Sequence, residues 1–304
     1  LCRSLVALRH SWLQRRHGKG MRLRSVGGRI GSRSSFSVDF AVMKRYRLLN
    51  ADFDGRESVL WNHDPRLDAV REEVIEQMKG QYGSTDFTRK LLNWTSLGRK
   101  PYSITAFHNQ FLTQARDAFV VGCYYPSLTA TCALGERILN HMWLSFKHDY
   151  ASPPKLTNKG ALNDWVKLIG TMVDWGFLLP EVARDFKLLE KARQQAIHFR
   201  PEVDIDARPL ALDALRLLQS IIEGQFSSHG DRPWYITGFD REVYIKREWE
   251  ESPYIKRLYL QHCVLVGPKH AIRGVNPWRV EDKEYPDGQV SDDEFVILRT
   301  KFRR

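Results

Sequence analysis

Between residues 104 and 226 the apolar side chains recur at the period of an α-helix, and this constrains the fold more than any other feature of the chain. A helix is expected from Thr105 to about Val121, followed by a break at Tyr125-Pro126-Ser127. The next segment, from about Ser127 to Phe146, carries Leu128, Cys132, Leu139, Met142, Trp143 and Phe146 on one stripe. Beyond a Ser152-Pro153-Pro154 loop, Leu162, Trp165, Ile169 and Met172 mark a third helix that ends near Gly176. Pro180 opens a fourth, with Val182, Phe186 and Leu189 along its apolar face. An Arg200-Pro201 break leads to a fifth, from Ala207 to about Gly224, striped by Leu210, Ala214, Leu217, Leu218 and Ile221. Short links between amphipathic helices favour antiparallel neighbours, so residues 104–226 are expected to form an antiparallel helical bundle.

The flanks read differently. Over residues 43–103, Tyr46 to Phe53 is a plausible strand, and Asp64-Pro65 starts a helix with Leu67, Val70, Val74 and Met78 at helical spacing. Gly80 and Gly83 are its stop signals. Residues 227–304 show short β-like runs, of which Arg257 to Val266 is the best strand, halted by Gly267-Pro268. Ser291-Asp292-Asp293-Glu294 is a capping box for a last helix. The expected class is therefore α+β, mainly helical, with a bundle and small mixed appendages.

Of 304 residues, 42% are hydrophobic and 27% charged, proportions that argue against wholesale disorder. The net charge of +11 is unevenly placed: residues 1–42 hold nine Lys/Arg and one Asp, a net of +8, which leaves +3 for the remainder. That distribution gives no global basic field of the kind that concentrates nucleic acid. Residues 1–42 resemble an organellar transit peptide in composition, yet the chain starts at Leu1, and Met43 opens a natural first strand. An upstream extension outside the native protein is the preferred reading of this leader. Cys2, Cys123, Cys132 and Cys263 form no C-x-x-C pair, and Cys123 and Cys132 read as small core hydrophobes. No membrane span or secretory signal is present, so the expected location is cytoplasmic, or organellar if the leader is a genuine transit peptide.

Two charged residues interrupt the apolar stripes. Arg193 falls among Phe186, Leu189 and Ala196, and Glu136 falls among Cys132, Leu139 and Trp143. A charge on a core face costs several kcal/mol unless paired, so Glu136 and Arg193 are expected to meet across the bundle. Just beyond stands His198, completing Arg193-Gln194-Gln195-Ala196-Ile197-His198. This Arg-x4-His near a helix end resembles the motif of the HEPN superfamily. So do the Ala/Leu-rich helix with its internal Glu (Ala133 to Asn140) and the Leu/Trp-rich third helix. The likeness covers about residues 104–226.

The resemblance implies metal-independent endoribonuclease or RNA-binding activity without a cofactor, in a stress or defence setting. His198 would serve as general acid or base and Arg193 would stabilise charge on the scissile phosphate, with Glu136 and Gln194 in support. It also implies a homodimer, since members of the family usually face two copies of the motif across a dimer; helix geometry agrees, because residues five apart on one ideal helix point roughly 140° apart and converge poorly. Gln194 departs from the family pattern, which places Asn, Asp or His there. The rival reading is a non-catalytic dimerisation or protein-interaction module, in which Arg193 only neutralises Glu136 and His198 caps its helix.

Other constellations are weaker. His141 and His148 share a helix face but lack a third ligand, so no metal is expected. Asp52-x-Asp54 resembles a Mg²⁺-binding pair without its upstream Gly-Ser. Tyr-Ile-Lys-Arg occurs at 244–247 and 254–257, where it offers either an RNA-contacting basic–aromatic face or an ordinary solvated strand face.

Overall fold

A computed structural model of the chain describes residues 43–49, 60, 64–101, 103–150, 164–197, 207–239, 242–273, 279–286 and 288–303. The leader, Asp52, Asp54, the Ser152-Pro153-Pro154 loop, Leu162, the Arg200-Pro201 break and His198 lie outside the described residues.

A first strand, β1 (Arg45–Leu48), precedes a 3₁₀ turn at Pro65–Leu67 and helix α1 (Asp68–Tyr82). Gly80 stays inside α1, and the helix stops only at Gly83, which takes a φ of 80°. A second helix, α2 (Phe87–Ser96), has no counterpart in the sequence reading; its N-cap residue, Asp86, makes no side-chain capping bond.

The bundle consists of α3 (Ala106–Val121), α4 (Tyr124–Phe146), α6 (Pro180–Ile197) and α7 (Ala207–Phe226), with the short α5 (Trp165–Asp174) against α4 and α6. Their ends fix the directions. Ile104 N–H donates to Phe226 O (3.0 Å), which sets the start of α3 beside the end of α7. The Tyr125 hydroxyl donates to Ala196 O (3.2 Å), which sets the start of α4 beside the end of α6. The predicted stripes form the core: Leu128, Cys132, Leu139, Met142, Trp143, Phe146, Trp165, Phe186 and Leu189 are all buried. On α7 the expected Ala214, Leu218 and Ile221 are buried, whereas Leu210 and Leu217 are only half-buried and Ala211 and Leu215 turn inward in their place.

Three further local expectations fail. Tyr125-Pro126-Ser127 does not separate two helices but lies in the first turn of α4, where the missing proline N–H would have no intrahelical acceptor anyway. Cys123, expected in the core, is exposed at the N-cap of that helix. Arg257 to Val266 is not one strand: α8 (Pro253–Leu258) and a 3₁₀ turn at Leu260–His262 take up most of it, leaving β2 (Cys263–Val266). Ser252-Pro253, with Pro in the first turn, starts that helix.

β1 and β2 pair antiparallel, Arg45 opposite Val266 and Leu48 opposite Cys263, so the two flanks form one sheet instead of two separate appendages. A second hairpin joins β3 (Ala271–Arg273) to β4 (Arg279–Glu281). The last helix, α9 (Asp292–Arg303), starts on the expected capping box. Glu294 N–H donates to Ser291 Oγ (3.2 Å), and Ser291 N–H donates to Glu294 Oε2 (2.8 Å). The flanks share the bundle's core through Trp234, Tyr235, Tyr254 and Tyr259. Among the described residues no helix is long and apolar enough to cross a membrane.

Candidate functional site

Gly135 explains how close α4 and α6 come. A β-carbon added there would stand 2.5 Å from Leu189 Cδ2 and 3.3 Å from Trp165. Glycine allows this approach without crowding either residue, and it brings the next residue on α4, Glu136, within reach of Arg193 on α6. Arg193 Nε donates to Glu136 Oε2 at 2.9 Å. The pairing inferred from the two interrupted stripes is therefore formed.

The pair is neither a buried core bridge nor a loose surface one. The side chain of Arg193 is 20% exposed and that of Glu136 28%. The Arg193 guanidinium carbon lies 5.9 Å from the Trp165 ring centre, a cation–π arrangement that stiffens a long side chain. Cys132 stands nearby; burial pushes its thiol up to about 12, and the positive charge of Arg193 opposes that shift.

Several donors at this place are left over. Among the described residues, Arg193 Nη1 and Nη2 have no hydrogen-bond partner, since only Nε is engaged. The indole Nε1–H of Trp165 also has none, although the residue is only 1% exposed. One edge of the guanidinium is thus anchored while its Nη fork stays available, and a guanidinium fork matches the oxygens of a phosphate or carboxylate. Gln194 is exposed on the adjacent face of α6. His198 follows the described end of α6, and its placement relative to Arg193 lies outside the described residues.

The remaining sequence candidates are not brought together. His141 is exposed beside Phe107, with ring centres 5.0 Å apart, and His148 is exposed in the turn that follows α4. Among the described residues there is no group of three or more His, Cys, Asp or Glu able to hold a metal ion. The two Tyr-Ile-Lys-Arg copies are corrected outright. Tyr244 and Tyr254 are fully buried, as are Ile245 and Ile255, so neither tyrosine can stack on a base. The first copy is extended and bridges to β1, whereas the second is helical.

A second polar constellation has no counterpart in the sequence reading. Arg299 clasps Glu242 through Nε (3.0 Å) and Nη2 (2.7 Å), Arg47 Nη2 lies 3.3 Å from the same carboxylate, and the Tyr244 hydroxyl donates to it at 2.8 Å. His270 is fully buried; its Nδ1 bonds Gly267 O (2.7 Å) and its Nε2 faces Arg47 Nη1 (2.6 Å). With Nδ1 protonated toward the carbonyl, Nε2 accepts from the arginine. Burial would raise the Glu242 carboxyl, but hydrogen bonds from Arg299 and Tyr244 and the charges of Arg47 and Arg299 hold it down to about 2. Burial, reinforced by the two arginines, pushes His270 down to about 4 against the opposing Gly267 hydrogen bond. Every main member is engaged internally, which marks a structural lock between α9 and the β1–β2 sheet. Its members are scattered from residue 47 to residue 299, so no local motif could have revealed it.

Comparison of the chain with models of protein families, with curated proteins and with solved structures finds no match.

Proposed function

We propose that the bundle acts on RNA as a HEPN-type module, a metal-independent endoribonuclease in which Arg193 and His198 carry the chemistry. The observation that supports this most directly is the half-used guanidinium of Arg193, anchored at Nε by Glu136 with its Nη fork unpaired among the described residues. An arginine serving only to neutralise Glu136 gains nothing from a partly exposed site with a free fork. An arginine that receives phosphate needs both.

In this reading His198 removes the proton of a ribose 2′-hydroxyl, and the 2′-oxygen attacks the adjacent phosphorus. The bond to the 5′-oxygen breaks, the leaving oxygen takes up a proton, and a 2′,3′-cyclic phosphate results. Arg193 stabilises the charge on the phosphate oxygens during the exchange. Glu136 acts as a positioning residue through Arg193. The face-to-face arrangement of two motifs in a homodimer supplies the convergence that one helix lacks.

The test is incubation of a mixed RNA pool with the protein in EDTA, alongside His198→Ala and Arg193→Ala variants. Cleavage that persists in EDTA and disappears in both folded variants supports the assignment. Absence of cleavage by a folded dimer moves the reading to a protein-interaction module. One observation favours that second reading: Val166 (58% exposed) and Val173 (37% exposed) lie on the outer face of α5, with Gly170 exposed between them.

A further inference from the structure

The end of the bundle that carries the last turn of α6 holds a second group of arginines. Tyr125 marks this end through its bond to Ala196 O, and the neighbouring Tyr124 opens α4 there. Asn93 Nδ2, from α2, donates to the Tyr124 hydroxyl oxygen at 3.1 Å. Asn93 Oδ1 accepts from Arg208 Nε, at the start of α7, at 3.0 Å. Arg89, one turn before Asn93, lays its guanidinium over Gly122, where a β-carbon would stand 2.4 Å from Nη1; φ at this glycine is +96°. Burial alone would raise the Tyr124 hydroxyl, yet hydrogen bonds from Asn93 and Arg89 and the charges of Arg89 and Arg208 bring it below the ordinary phenol value.

These arginines are not needed as caps for α3. Asn93 donates to the carbonyls of Phe119 and Val120, and Gly122 and Cys123 N–H reach Ala118 and Phe119. Nor are they neutralised. The partners of Arg208 among the described residues, Asn93 and Ser96, carry no charge, and Arg89 has only the exposed Asp86 at 3.9 Å. Arg208 Nη1 is unengaged among the described residues. The Tyr124 oxygen already accepts, so its own hydrogen remains to be donated, and no described residue takes it. Two cations and a hydroxyl donor thus converge at a partly exposed place, the donor set that a phosphoryl group fills.

We propose that Arg89, Arg208 and Tyr124 form a notch for a backbone phosphate of single-stranded RNA, at the end of the bundle where α4 begins. The proposal rests on the RNA reading above and extends it. It supplies the positioning contact that a cleavage site needs to hold its strand in register.

The test measures binding of a labelled single-stranded RNA across a potassium chloride series, using the full chain with His198→Ala to silence cleavage. Adding Arg89→Gln and Arg208→Gln together is expected to weaken binding roughly tenfold at low salt. It should also flatten the slope of log K against log salt by about 0.7, the value for one lost phosphate contact. Tyr124→Phe removes a donor but no charge, so affinity falls a few-fold with the slope unchanged. A folded double variant that keeps both affinity and slope overturns the notch while leaving the RNA reading intact. No binding by the parent overturns both. Slope loss in the variant without EDTA-resistant cleavage by the wild type sustains the notch and removes the nuclease assignment. If inorganic phosphate stabilises the parent but not the double variant, and RNA affinity is equal in both, the notch belongs to a small free anion and the RNA assignment falls.

Discussion

Glu136 holds Arg193 by Nε alone, at 2.9 Å, and leaves the outer fork of the guanidinium unpaired among the described residues. The two roles open to this pair separate by substitution. Both side chains are partly solvated, so the ion pair contributes less than about 1 kcal/mol to stability. Glu136→Gln keeps an acceptor for Nε and should leave urea midpoints nearly unchanged. If Glu136 positions Arg193 for phosphate, the same variant lowers kcat for RNA cleavage at least several-fold with little change in KM. Arg193→Lys, which keeps charge but loses the fork, should lower kcat more. Equal kcat in wild type and Glu136→Gln would reduce Glu136 to a neutralising partner.

The Glu242 network predicts a different energetic signature. Arg299 (6% exposed) and Arg47 (13% exposed) both converge on this one carboxylate. Glu242→Ala strands two nearly buried cations and should destabilise by about 3–5 kcal/mol. Glu242→Gln keeps the hydrogen-bond acceptor but not the charge and should fall in between. Chemical denaturation of the three proteins measures both steps, and a loss under 1 kcal/mol for the alanine variant would show that the lock is not under load.

How legible the molecule was in its sequence depends on how local each signal is. The stripes of α4, α5 and α6 are period-3.6 patterns, and they identified Trp143, Trp165, Phe186 and Leu189 as core. Glu136 and Arg193 stood out because each interrupted such a stripe. By contrast, Tyr-Ile-Lys-Arg occurs twice with opposite outcomes: Tyr244 and Ile245 sit on a bridged extended segment, while Tyr254 and Ile255 follow Pro253 into α8. The same four letters fold by context, because burial against Trp234 and Tyr259 or against Phe239 and Phe295 decides the backbone. The Arg208–Asn93–Tyr124 chain joins α2, α4 and α7 across 115 residues at its widest, and no spacing rule reaches that far.

Acid should destabilise the fold over a window set by histidines. His270 is held down to about 4, and His108, on α3, is pushed down to about 3 by burial and then by the charge of His141. Both stay neutral in the folded chain, whereas in the unfolded chain they protonate near their ordinary value of 6.5. Falling pH therefore favours the unfolded state. Their stabilising effect is complete above pH 6.5 and is lost between 6.5 and about 4 for His270, continuing to about 3 for His108. Each contributes a slope approaching about 1.4 kcal/mol per pH unit within its window. The depressed Glu242 carboxyl adds a later loss, below its ordinary value of 4.5 and down to about 2. Urea midpoints should hold nearly level from pH 7.5 to about 6.5 and then fall toward pH 5 in the wild type. They should fall less in His270→Gln, whose amide oxygen can still accept from Arg47.

Gly135 links packing to the Arg193 site. An alanine there gains about 1 kcal/mol of helix propensity over glycine, yet its methyl would stand 2.5 Å from Leu189, which is fully buried and has no solvent to retreat into. Overpacking of this kind costs about 1–3 kcal/mol, so the net effect of Gly135→Ala should be a modest loss of stability. The informative consequence is geometric. Relief of the contact pushes α4 and α6 apart, and the Glu136–Arg193 bond lengthens with them. If Arg193 acts in RNA cleavage as proposed, then at a temperature where the variant remains folded, cleavage should fall by more than the loss of folded protein explains. Gly224 makes an independent comparison at the other end of α6, where a β-carbon would stand 2.6 Å from Val182 Cγ2. Gly224→Ala imposes a similar crowding far from Arg193 and should cost stability without that excess loss of cleavage. Parallel losses in both variants would mean that the spacing of α4 and α6 at Gly135 has no special bearing on the site.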